Sequence, residues 1–556
     1  MLQCRNLTVR IGPKKQTILN QASADFEPCT LNAVIGPSGC GKTTLVKAML
    51  GILPSKGEVY FAGEKSSPKN LIGKVGFTPQ FTIAQKQLTV REALSYALKL
   101  NVRKWSVRKE RLEWILNTIG LHEHQKKKVG SLSGGQLRRL GLGLELTNDP
   151  DCLVCDEVTS GLDPTSEDHI LQLLRNLVEQ EEKTFLCIIH NLAKLDQFDF
   201  VTVVHHGHVL FQGPLPELLE HFGIEDALQL YEVLHSYPLE YWTEGLHDSE
   251  TDPADVISSE QFVSHHHKGS APNPGLISQL ITLFFRRIHL FFRDRGQILL
   301  TLAITFGFPC LVVIFALDGL PQLQGMAMDP VGGIFETMQD KIRYKLDAAQ
   351  TGSLVTSLIM FQVILLTLMG SNTGAREIAA ERDLYEKERL NGLRPTAYAA
   401  SKLLFTSLIA TLQGLWMMGF VKYICGFPGS GADQGVALAL TCLAMTVVCL
   451  GISSLLSSSE KASLLSVYLV GFQLPLSGVV LALPDYLVWV TRPFISAYWG
   501  WAGYLQTMKP TRFWDAFREM NESYVATPWE SVMVLSVHIA LGALLVFIGC
   551  QRRGWR

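Results

Sequence analysis

The feature that most constrains this chain is a set of six long uncharged stretches, all of which lie in its second half. Each can hold the roughly 20 residues that a helix needs to cross a bilayer. Helices buried in a soluble core seldom extend so far without a charge. We therefore predict an all-α polytopic membrane domain over residues 296–556. Its six predicted transmembrane spans are about 296–317, 351–374, 403–421, 435–457, 462–484 and 531–551.

The composition agrees with this division between a membrane half and a soluble half. Charged residues make up only 18% of the 556 residues, whereas soluble domains have about 25%. The formal net charge of −2 argues against a nucleic-acid partner, because nucleic-acid binders usually carry a basic excess. Before residue 275 no uncharged stretch reaches 18 residues, which predicts a soluble first half. Membrane lipid is thus an expected partner.

Six spans would return the carboxyl terminus to the side of the amino terminus. The basic loop 376–402 and the basic tail 551–556 fit the cytosolic side of a membrane. Loop 318–350 also has three basic residues, yet this topology places it on the other side. We predict a cytosolic first half and cytosolic termini, in the plasma membrane or a bacterial inner membrane.

Three segments connect or interrupt the predicted domains. Residues 237–275 are polar and rich in Pro, Ser and His, which is typical of a linker. Residues 276–295 alternate apolar side chains with arginines at helical spacing and predict an amphipathic helix at the membrane surface. Residues 493–508 are uncharged and aromatic but short for crossing, which favours an interfacial or re-entrant element.

In the first half, LNAVIGPSGCGKTTL has the pattern of a strand, a glycine-rich loop and a helix, and it matches GxxxxGK[ST]. Such a loop turns backbone N–H groups toward phosphate oxygens at the amino terminus of a helix. Lys42 would reach the β- and γ-phosphates of a nucleotide, and Thr43 would bind Mg²⁺. The predicted nucleotide-binding residues are Gly36, Pro37, Ser38, Gly39, Cys40, Gly41, Lys42, Thr43 and Thr44.

A second motif, CLVCDE, is an apolar strand that ends in two acids, Asp156 and Glu157. Asp156 would complete the Mg²⁺ shell. Glu157 would orient or deprotonate an attacking water.

Six motifs occur in the order IGPSGCGKTT, GFTPQ, SLSGGQLRR, CLVCDE, SGLDP and IIH. This series resembles the ATP-binding cassette (ABC) family, motif by motif, from Walker A to the switch histidine. The resemblance covers roughly residues 1–225. It implies an α/β P-loop NTPase (ABC ATPase) domain, which we place at residues 1–236.

The resemblance also implies a dimer in which each ATP lies between the Walker A loop of one chain and the signature motif of the other. The signature residues Ser133, Gly134, Gly135 and Gln136 would contact the γ-phosphate across the interface. Gln80 would sense Mg²⁺ and the attacking water, His190 would contact the γ-phosphate, and Asp163 would tie the two sites together.

By the same resemblance the metal residues would be Thr43, Gln80 and Asp156. The partner would be a second half-transporter, with a homodimer favoured and a heterodimer possible. The family's aromatic residue for adenine is missing here, and Ile11 is nearest to its expected position.

The order of a cassette followed by a membrane domain resembles the ABCG type of half-transporter. Segment 377–393 resembles its cytosolic coupling helix; Asp383 and Lys387 are four residues apart and predict an ion pair on a solvated helix. In that group the second and fifth spans line the substrate path. The candidate path residues are therefore Met369, Phe472, Gln473, Val479 and Val480, for which helix packing or lipid contact is an equal alternative.

The expected function is that of an ATP-hydrolysing half-transporter that dimerises to export a hydrophobic or amphipathic substrate, such as a lipid, sterol, drug-like molecule or peptide. ATP and Mg²⁺ are the expected cofactors. One alternative is an importer or lipid flippase on the same scaffold, which would accumulate cargo on the other side. A second alternative is a regulatory or mechanotransmitting membrane ATPase without cargo.

Overall fold

The computed structural model divides into two compact units. The first contains residues up to 282 together with segment 383–394, and the second contains residues 283–382 and 395–554. The side chains of residues 243 and 336–351 are not described. The described residues are 2–12, 15–67, 70–243, 274–317, 336–479, 483–511, 513–514, 517–518 and 524–552.

The first unit contains two sheets. Strands β1, β2, β4 and β5 form an antiparallel sheet in the order β2-β1-β4-β5. The second sheet has the order β10-β9-β3-β8-β7-β6 and is parallel except for the edge strand β10. The strands are β1 Leu2–Ile11, β2 Gln16–Phe26, β3 Leu31–Ile35, β4 Lys56–Phe61, β5 Glu64–Lys65, β6 Val75–Thr78, β7 Cys152–Asp156, β8 Thr184–Ile188, β9 Phe200–His205 and β10 His208–Gly213.

The central strands β3, β7 and β8 are buried along their whole length, as expected for parallel strands that are covered on both faces. The helices of this region are α1 Lys42–Met49, α2 Val90–Asn101, α3 Trp105–Thr118, α4 Gly134–Glu145, α5 Pro164–Glu181, α6 Leu215–Phe222, α7 Leu230–Ser236 and α8 Leu239–Thr243. These strands and helices confirm the predicted α/β P-loop fold class.

The rest of the described chain is helical. Its helices are α9 Leu276–Arg293, α10 Arg295–Ala316, α11 Glu336–Gly374, α12 Arg382–Leu390, α13 Pro395–Cys425, α14 Gly431–Leu455, α15 Ser459–Gly471, α16 Asp485–Thr491, α17 Ser496–Gln506 and α18 Pro528–Gln551. Five helices among the described residues are long and apolar enough to cross a membrane, and they are α10, α11, α13, α14 and α18.

The predicted fifth span, 462–484, does not correspond to a single long helix in the structure. Helix α15 ends at Gly471, and a short 3₁₀ helix follows over Pro475–Ser477. Proline lacks the N–H that a continuing helix needs, and Gly478 has a left-handed φ of 70°. The helix is therefore interrupted before residue 479, and the prediction of one continuous helix is wrong. Residues 480–482 lie outside the described part of the chain.

Other predictions also fall outside the described residues, at least in part. They are most of the linker 237–275, the beginning of loop 318–350, and the tail beyond residue 552. The domain boundaries proposed above thus remain predictions.

Small residues allow three helices of the second unit to approach closely. A Cβ on Gly500 of α17 would lie 2.1 Å from Thr441 Oγ1 of α14, and a Cβ on Gly503 would lie 3.1 Å from Ser531 Cβ of α18. Near the other end of α14, Ser454 Oγ donates to the carbonyl of Leu545, 3.0 Å away. Helices α14 and α18 consequently run parallel, which is typical of small-residue packing between membrane helices.

Candidate ATP site

The sheet order brings the predicted functional residues to one edge. The Walker A loop follows β3, His190 follows β8, Asp156 and Glu157 lie at the end of β7, and Gln80 follows β6. These strands are parallel and adjacent in the order β3-β8-β7-β6. Their carboxyl ends therefore meet at the same edge, where ligands bind in open α/β sheets.

The Walker A loop has a backbone that only glycine tolerates at its turns. Gly41 has a φ of 110° and caps α1; a Cβ there would lie 3.1 Å from Leu19 Cδ2. At Gly36 a Cβ would lie 2.0 Å from the carbonyl oxygen of Val204. The loop can thus turn N–H groups toward a phosphate at the amino terminus of α1.

Lys42 is 5% exposed, and its ammonium lies inside the loop. Its Nζ donates to the carbonyls of Gly36 and Pro37 at 2.8 and 3.0 Å. Ser38 and Gly39 are exposed at the mouth of the loop, while Thr44 is half-buried. Burial raises the pKa of the Cys40 thiol, so this cysteine packs as a neutral group.

Two oxygen ligands suitable for Mg²⁺ lie next to the loop. Thr43 Oγ1 donates to Asp156 Oδ1 at 3.1 Å. Burial raises the pKa of Asp156, and the Thr43 hydrogen bond opposes this effect. A hydroxyl beside a carboxylate is a donor set that Mg²⁺ prefers. These residues fit the predicted metal role.

Glu157 is held between the other two predicted catalytic residues. Its Oε2 accepts a hydrogen bond from Gln80 Nε2 at 2.6 Å, and its Oε1 lies 2.6 Å from His190 Nε2. Glu157 has a φ of 52°, which is uncommon for a residue with a side chain and typical of functional sites. The structure therefore brings Gln80, Glu157 and His190 together.

The signature motif begins helix α4. Ser133 Oγ accepts from the Gln136 N–H, and the Gln136 side chain accepts from the Ser133 N–H, which forms a capping box. Ser133 and Gly134 are exposed, so the remaining N–H groups of the first turn can bind an anion. Gly135 faces Ser166 of α5, where a Cβ would lie 3.3 Å from the hydroxyl.

Asp163 caps helix α5. Its Oδ1 accepts from the Ser166 N–H at 2.9 Å, and this contact lowers the pKa of Asp163. Ile11, the residue nearest the expected adenine position, is the last residue of β1 and is 45% exposed.

The sequence reasoning missed a buried contact at the other end of α4. Glu145 is 1% exposed. Its Oε1 lies 2.9 Å from Lys387 Nζ, and its Oε2 accepts from Asn391 Nδ2 at 3.1 Å. Since Lys387 is 4% exposed, the prediction that it forms a surface ion pair with Asp383 is wrong. The only signal was an acid within the apolar run GLGLELTN.

A further missed contact joins the loop after Gln80 to α4. Thr82 Oγ1 donates to the carbonyl of Leu137 at 3.0 Å. A Cβ on Gly141 would lie 2.8 Å from the same hydroxyl. The loop that carries Gln80 therefore packs directly on the signature helix.

The candidate path residues differ from one another in burial and in contacts. Met369 is 1% exposed, whereas Phe472 is 56% exposed. Gln473 is buried, and its Oε1 accepts from the Ala497 N–H at 3.0 Å, which ties the segment after α15 to α17. Val479 packs against the core of the second unit, and Val480 lies outside the described residues. Their role as a substrate path remains a prediction.

Comparison with known proteins agrees with the prediction of a cassette in the first half of the chain and a membrane domain in the second. The family described as "ABC transporter" matches residues 19–160, and the family described as "ABC-2 type transporter" matches residues 278–501. The fold and the site thus define an ATP-binding cassette joined to an ABC-2 type membrane domain, and the chain belongs to the ABC transporters. In this chain the cassette precedes the membrane domain.

Three curated relatives illustrate the likeness. ABC transporter ATP-binding/permease protein Rv1747 of Mycobacterium tuberculosis is 28% identical over 91% of this chain and 57% of its own length. ABC transporter G family member 22 of Dictyostelium discoideum is 26% identical over 87% of this chain and 81% of its own. Uncharacterized ABC transporter ATP-binding protein YxlF of Bacillus subtilis is 36% identical over 26% of this chain. The chain spans about half the length of the first and third.

Proposed function

We propose that this chain is one half of an ATP-driven exporter of hydrophobic or amphipathic molecules. It would work as a dimer of identical or similar chains, with the cassette in the cytosol. The observation that carries the proposal is the position of Glu157, between Gln80 and His190 and at the sheet edge that also holds the Walker A loop.

Each of the site residues would have a separate role in ATP hydrolysis. Lys42 and the loop N–H groups would bind the β- and γ-phosphates, and Thr43 and Asp156 would hold Mg²⁺. When bound, Mg²⁺ neutralises charge on the phosphate oxygens. Glu157 would accept a proton from the water that attacks the γ-phosphorus, which breaks the bond to ADP and releases phosphate. The Nε2 of His190 would orient Glu157 and the γ-phosphate.

The signature helix offers a reason for a dimer. Each chain has one Walker A loop and one signature motif. The exposed Ser133 cap and the first-turn N–H groups of α4 form an anion site at a helix terminus. We expect this site to bind the γ-phosphate held by a partner chain, so that two chains complete two sites.

Helix α4 would also transmit the closure of the dimer. Its 12 residues span about 18 Å, from the signature motif to Glu145. There Lys387 and Asn391 of segment 383–394 are docked on Glu145. The Asn148 side chain adds a hydrogen bond to the carbonyl of Asn391 at 2.8 Å. A movement of the phosphate end of α4 would thereby move this segment.

The apolar character of the spans supports an apolar or amphipathic cargo. Several polar side chains in the membrane helices bond to neighbouring helices: Gln413 Nε2 donates to Thr305 at 3.1 Å, and His538 Nδ1 lies 2.9 Å from Ser496 Oγ. A charged cargo at these positions would have to replace these hydrogen bonds. The direction of transport is tested by the side on which vesicles accumulate cargo, and accumulation on the cassette side would indicate an importer.

The shared ATP site is tested with paired chains. A heterodimer of a Lys42→Met chain and a Gly135→Asp chain, isolated through two different tags, contains one intact site made by both chains. We expect single-turnover ATP hydrolysis at least about 100-fold above either variant homodimer, because each homodimer lacks an essential phosphate contact in both sites.

A control heterodimer carries the same two substitutions in one chain, and its partner is wild type. Every site in this control has one defect. Hydrolysis by this control, with none above the variant homodimers from the first heterodimer, would show that each site is complete within one chain.

The docking at Glu145 is tested by charge reversal. In a Glu157→Gln background, where ATP binds without turnover, ATP should change the tryptic cleavage pattern of the membrane half. Lys387→Glu should abolish this change, because two buried carboxylates would face each other at a cost of several kcal/mol. The double reversal Glu145→Lys with Lys387→Glu should restore it.

Asp383→Lys is the matched control, since Asp383 is exposed on the same segment. We expect this variant to keep the ATP-dependent change. Loss of the change in the double reversal as well as in the single one would exclude the ion pair as the transmitting contact.

A further inference from the structure

A cavity of about 500 Å³ lies in the second unit, between the beginning of α14, the end of α17 and the beginning of α18. Its volume is within the roughly 300–1,000 Å³ of small-molecule sites. Val436, Ala437 and Leu535 supply apolar walls, and the charged residues of its lining are Asp433 and Lys509. None of the ATP-site motifs or candidate path residues is in this lining, whereas Gly503, Gln506 and Thr507 belong to the aromatic segment 493–508.

Small side chains leave this space open. The backbones of α17 and α18 approach each other at Gly503 and Ser531, where a Cβ at 503 would lie only 3.1 Å from the serine Cβ. The turn before α14 is equally close, because a Cβ on Gly429 would lie 2.6 Å from the carbonyl oxygen of Thr507. These contacts hold the three walls in place around the hollow.

Ser531 provides an unused hydrogen-bonding group in the wall. It is 2% exposed, and within the described part of the chain its Oγ has no hydrogen-bond partner. A buried hydroxyl without a partner costs about 1–3 kcal/mol, and helical serines usually avoid this cost by bonding to a carbonyl of the preceding turn. A rotation of the Ser531 side chain that brings its hydroxyl to a ligand oxygen in the cavity would remove the cost.

The cavity lies at one membrane boundary. Helix α14 has 25 residues and is therefore about 37 Å long, which exceeds the roughly 30 Å hydrocarbon core of a bilayer. Near its far end, Ser453 Oγ accepts from the N–H groups of Ile378 and Ala379, which lie between α11 and α12 in the loop predicted to be cytosolic. Asp433, in the first turn of α14, lies at the opposite boundary.

The charges of the lining identify the chemistry of the occupant. Asp433 and Lys509 are both exposed, and no ion pair joins them among the residues described. A carboxylate and an ammonium at the mouth of an apolar cavity complement a polar headgroup that has both a positive and a negative charge. The apolar walls complement hydrocarbon, and the Ser531 hydroxyl complements an ester carbonyl.

We propose that this cavity binds a zwitterionic glycerophospholipid, with its ammonium at Asp433, its phosphate at Lys509, and an ester carbonyl that accepts from Ser531. The lipid enters from the leaflet at the beginning of α14. The proposed site lies entirely in the membrane domain. Its test is independent of the direction of transport and of ATP hydrolysis.

The test uses the full-length protein in nanodiscs with a phosphatidylethanolamine probe that carries a diazirine in one acyl chain. Crosslinks should map to the beginnings of α14 and α18 and the end of α17. Ser531→Leu, which fills the hollow, and Ser531→Ala, which removes only the hydroxyl, should each lower this labelling by about fivefold or more. Leu541→Phe, on the exposed face of α18 away from the lining, should leave it unchanged.

A phosphatidylglycerol probe with the same diazirine chain separates the two charges. Asp433→Asn should lower labelling by the phosphatidylethanolamine probe alone, because only that lipid has an ammonium. Lys509→Gln should lower labelling by both probes. Crosslinks spread evenly over the exposed helices and insensitive to both Ser531 variants would overturn the site. Equal responses of the two probes to Asp433→Asn would overturn the zwitterionic assignment.

Discussion

Glu157→Gln should lower steady-state ATP hydrolysis by about 100- to 10,000-fold, the usual range for the loss of a general base, and leave ATP binding nearly unchanged. The amide keeps the size of the carboxylate and the contacts with Gln80 and His190, which are each 2.6 Å in the native site. It cannot accept a proton from the attacking water. The substitution does not alter the contacts of Lys42, Thr43 and Asp156, the residues that we propose bind phosphate and Mg²⁺. Phosphate release and nucleotide-binding titrations on the purified full-length chain measure the two effects separately.

Glu179→Gln is the matched control, since Glu179 is an exposed acid on α5 of the same domain. We expect native hydrolysis from this variant. Native turnover in the Glu157 variant would exclude Glu157 as the base, and a parallel loss of ATP affinity would mean that Glu157 acts in binding instead.

Glu377→Gln should destabilise the second unit by about 3–5 kcal/mol, as expected when a buried charge loses its partner. Glu377 is bonded to two cations: Arg287 donates to it at 2.5 and 2.8 Å, and Lys402 Nζ at 2.9 Å. The side chains of Arg287, Glu377 and Lys402 are only 10%, 7% and 4% exposed. A neutral amide leaves both cations dependent on Glu381. Thermal unfolding should show a Tm lower by roughly 10 °C.

Two further variants distinguish a charge effect from damaged packing. Lys402→Met removes one cation and keeps the Arg287–Glu377 pair, so it should cost less than Glu377→Gln. Glu460→Gln changes an exposed acid of the same unit and should stay within about 0.5 kcal/mol of the wild type. If Lys402→Met were the more damaging of the two buried variants, the cluster would depend on packing and not on charge.

Acid pH provides a second measurement of the same cluster. Burial alone would raise the pKa of Glu377, but Lys402 and Arg287 lower it from 4.5 to about 2. A depressed folded-state pKa contributes stability that is present above about pH 4.5 and is lost as the pH falls toward 2. The Glu377→Gln variant should lack this part of the acid dependence.

The local parts of the ATP site were predictable because they depend on short stretches of backbone. A strand, a glycine-rich turn and a helix specify a phosphate loop within about ten residues, since only glycine allows the turns at Gly36 and Gly41. The Ser133 cap is likewise defined by a residue three positions away, Gln136. The long uncharged stretches predicted membrane helices for the same reason, because length and polarity alone decide whether a helix can cross a bilayer.

The break in the predicted fifth span shows where composition is insufficient. Residues 462–484 are uncharged throughout, and hydropathy does not register where a helix ends. Pro475 and the left-handed Gly478 interrupt the backbone. The Gln473 amide then bonds to the amino end of α17, a contact that only the folded helices create.

The P-loop cassette, the membrane half and the candidate ATP-site residues can be recognised from the sequence, because each is encoded in a short motif or in local polarity. Which of these groups meet depends on the tertiary structure. The parallel order of β6, β7 and β8 places Gln80, Glu157 and His190 at one edge although more than 100 residues separate the first from the last. Folding also buries Glu145 against Lys387. Such contacts depend on the packing of distant elements, for which a single sequence has no local signal.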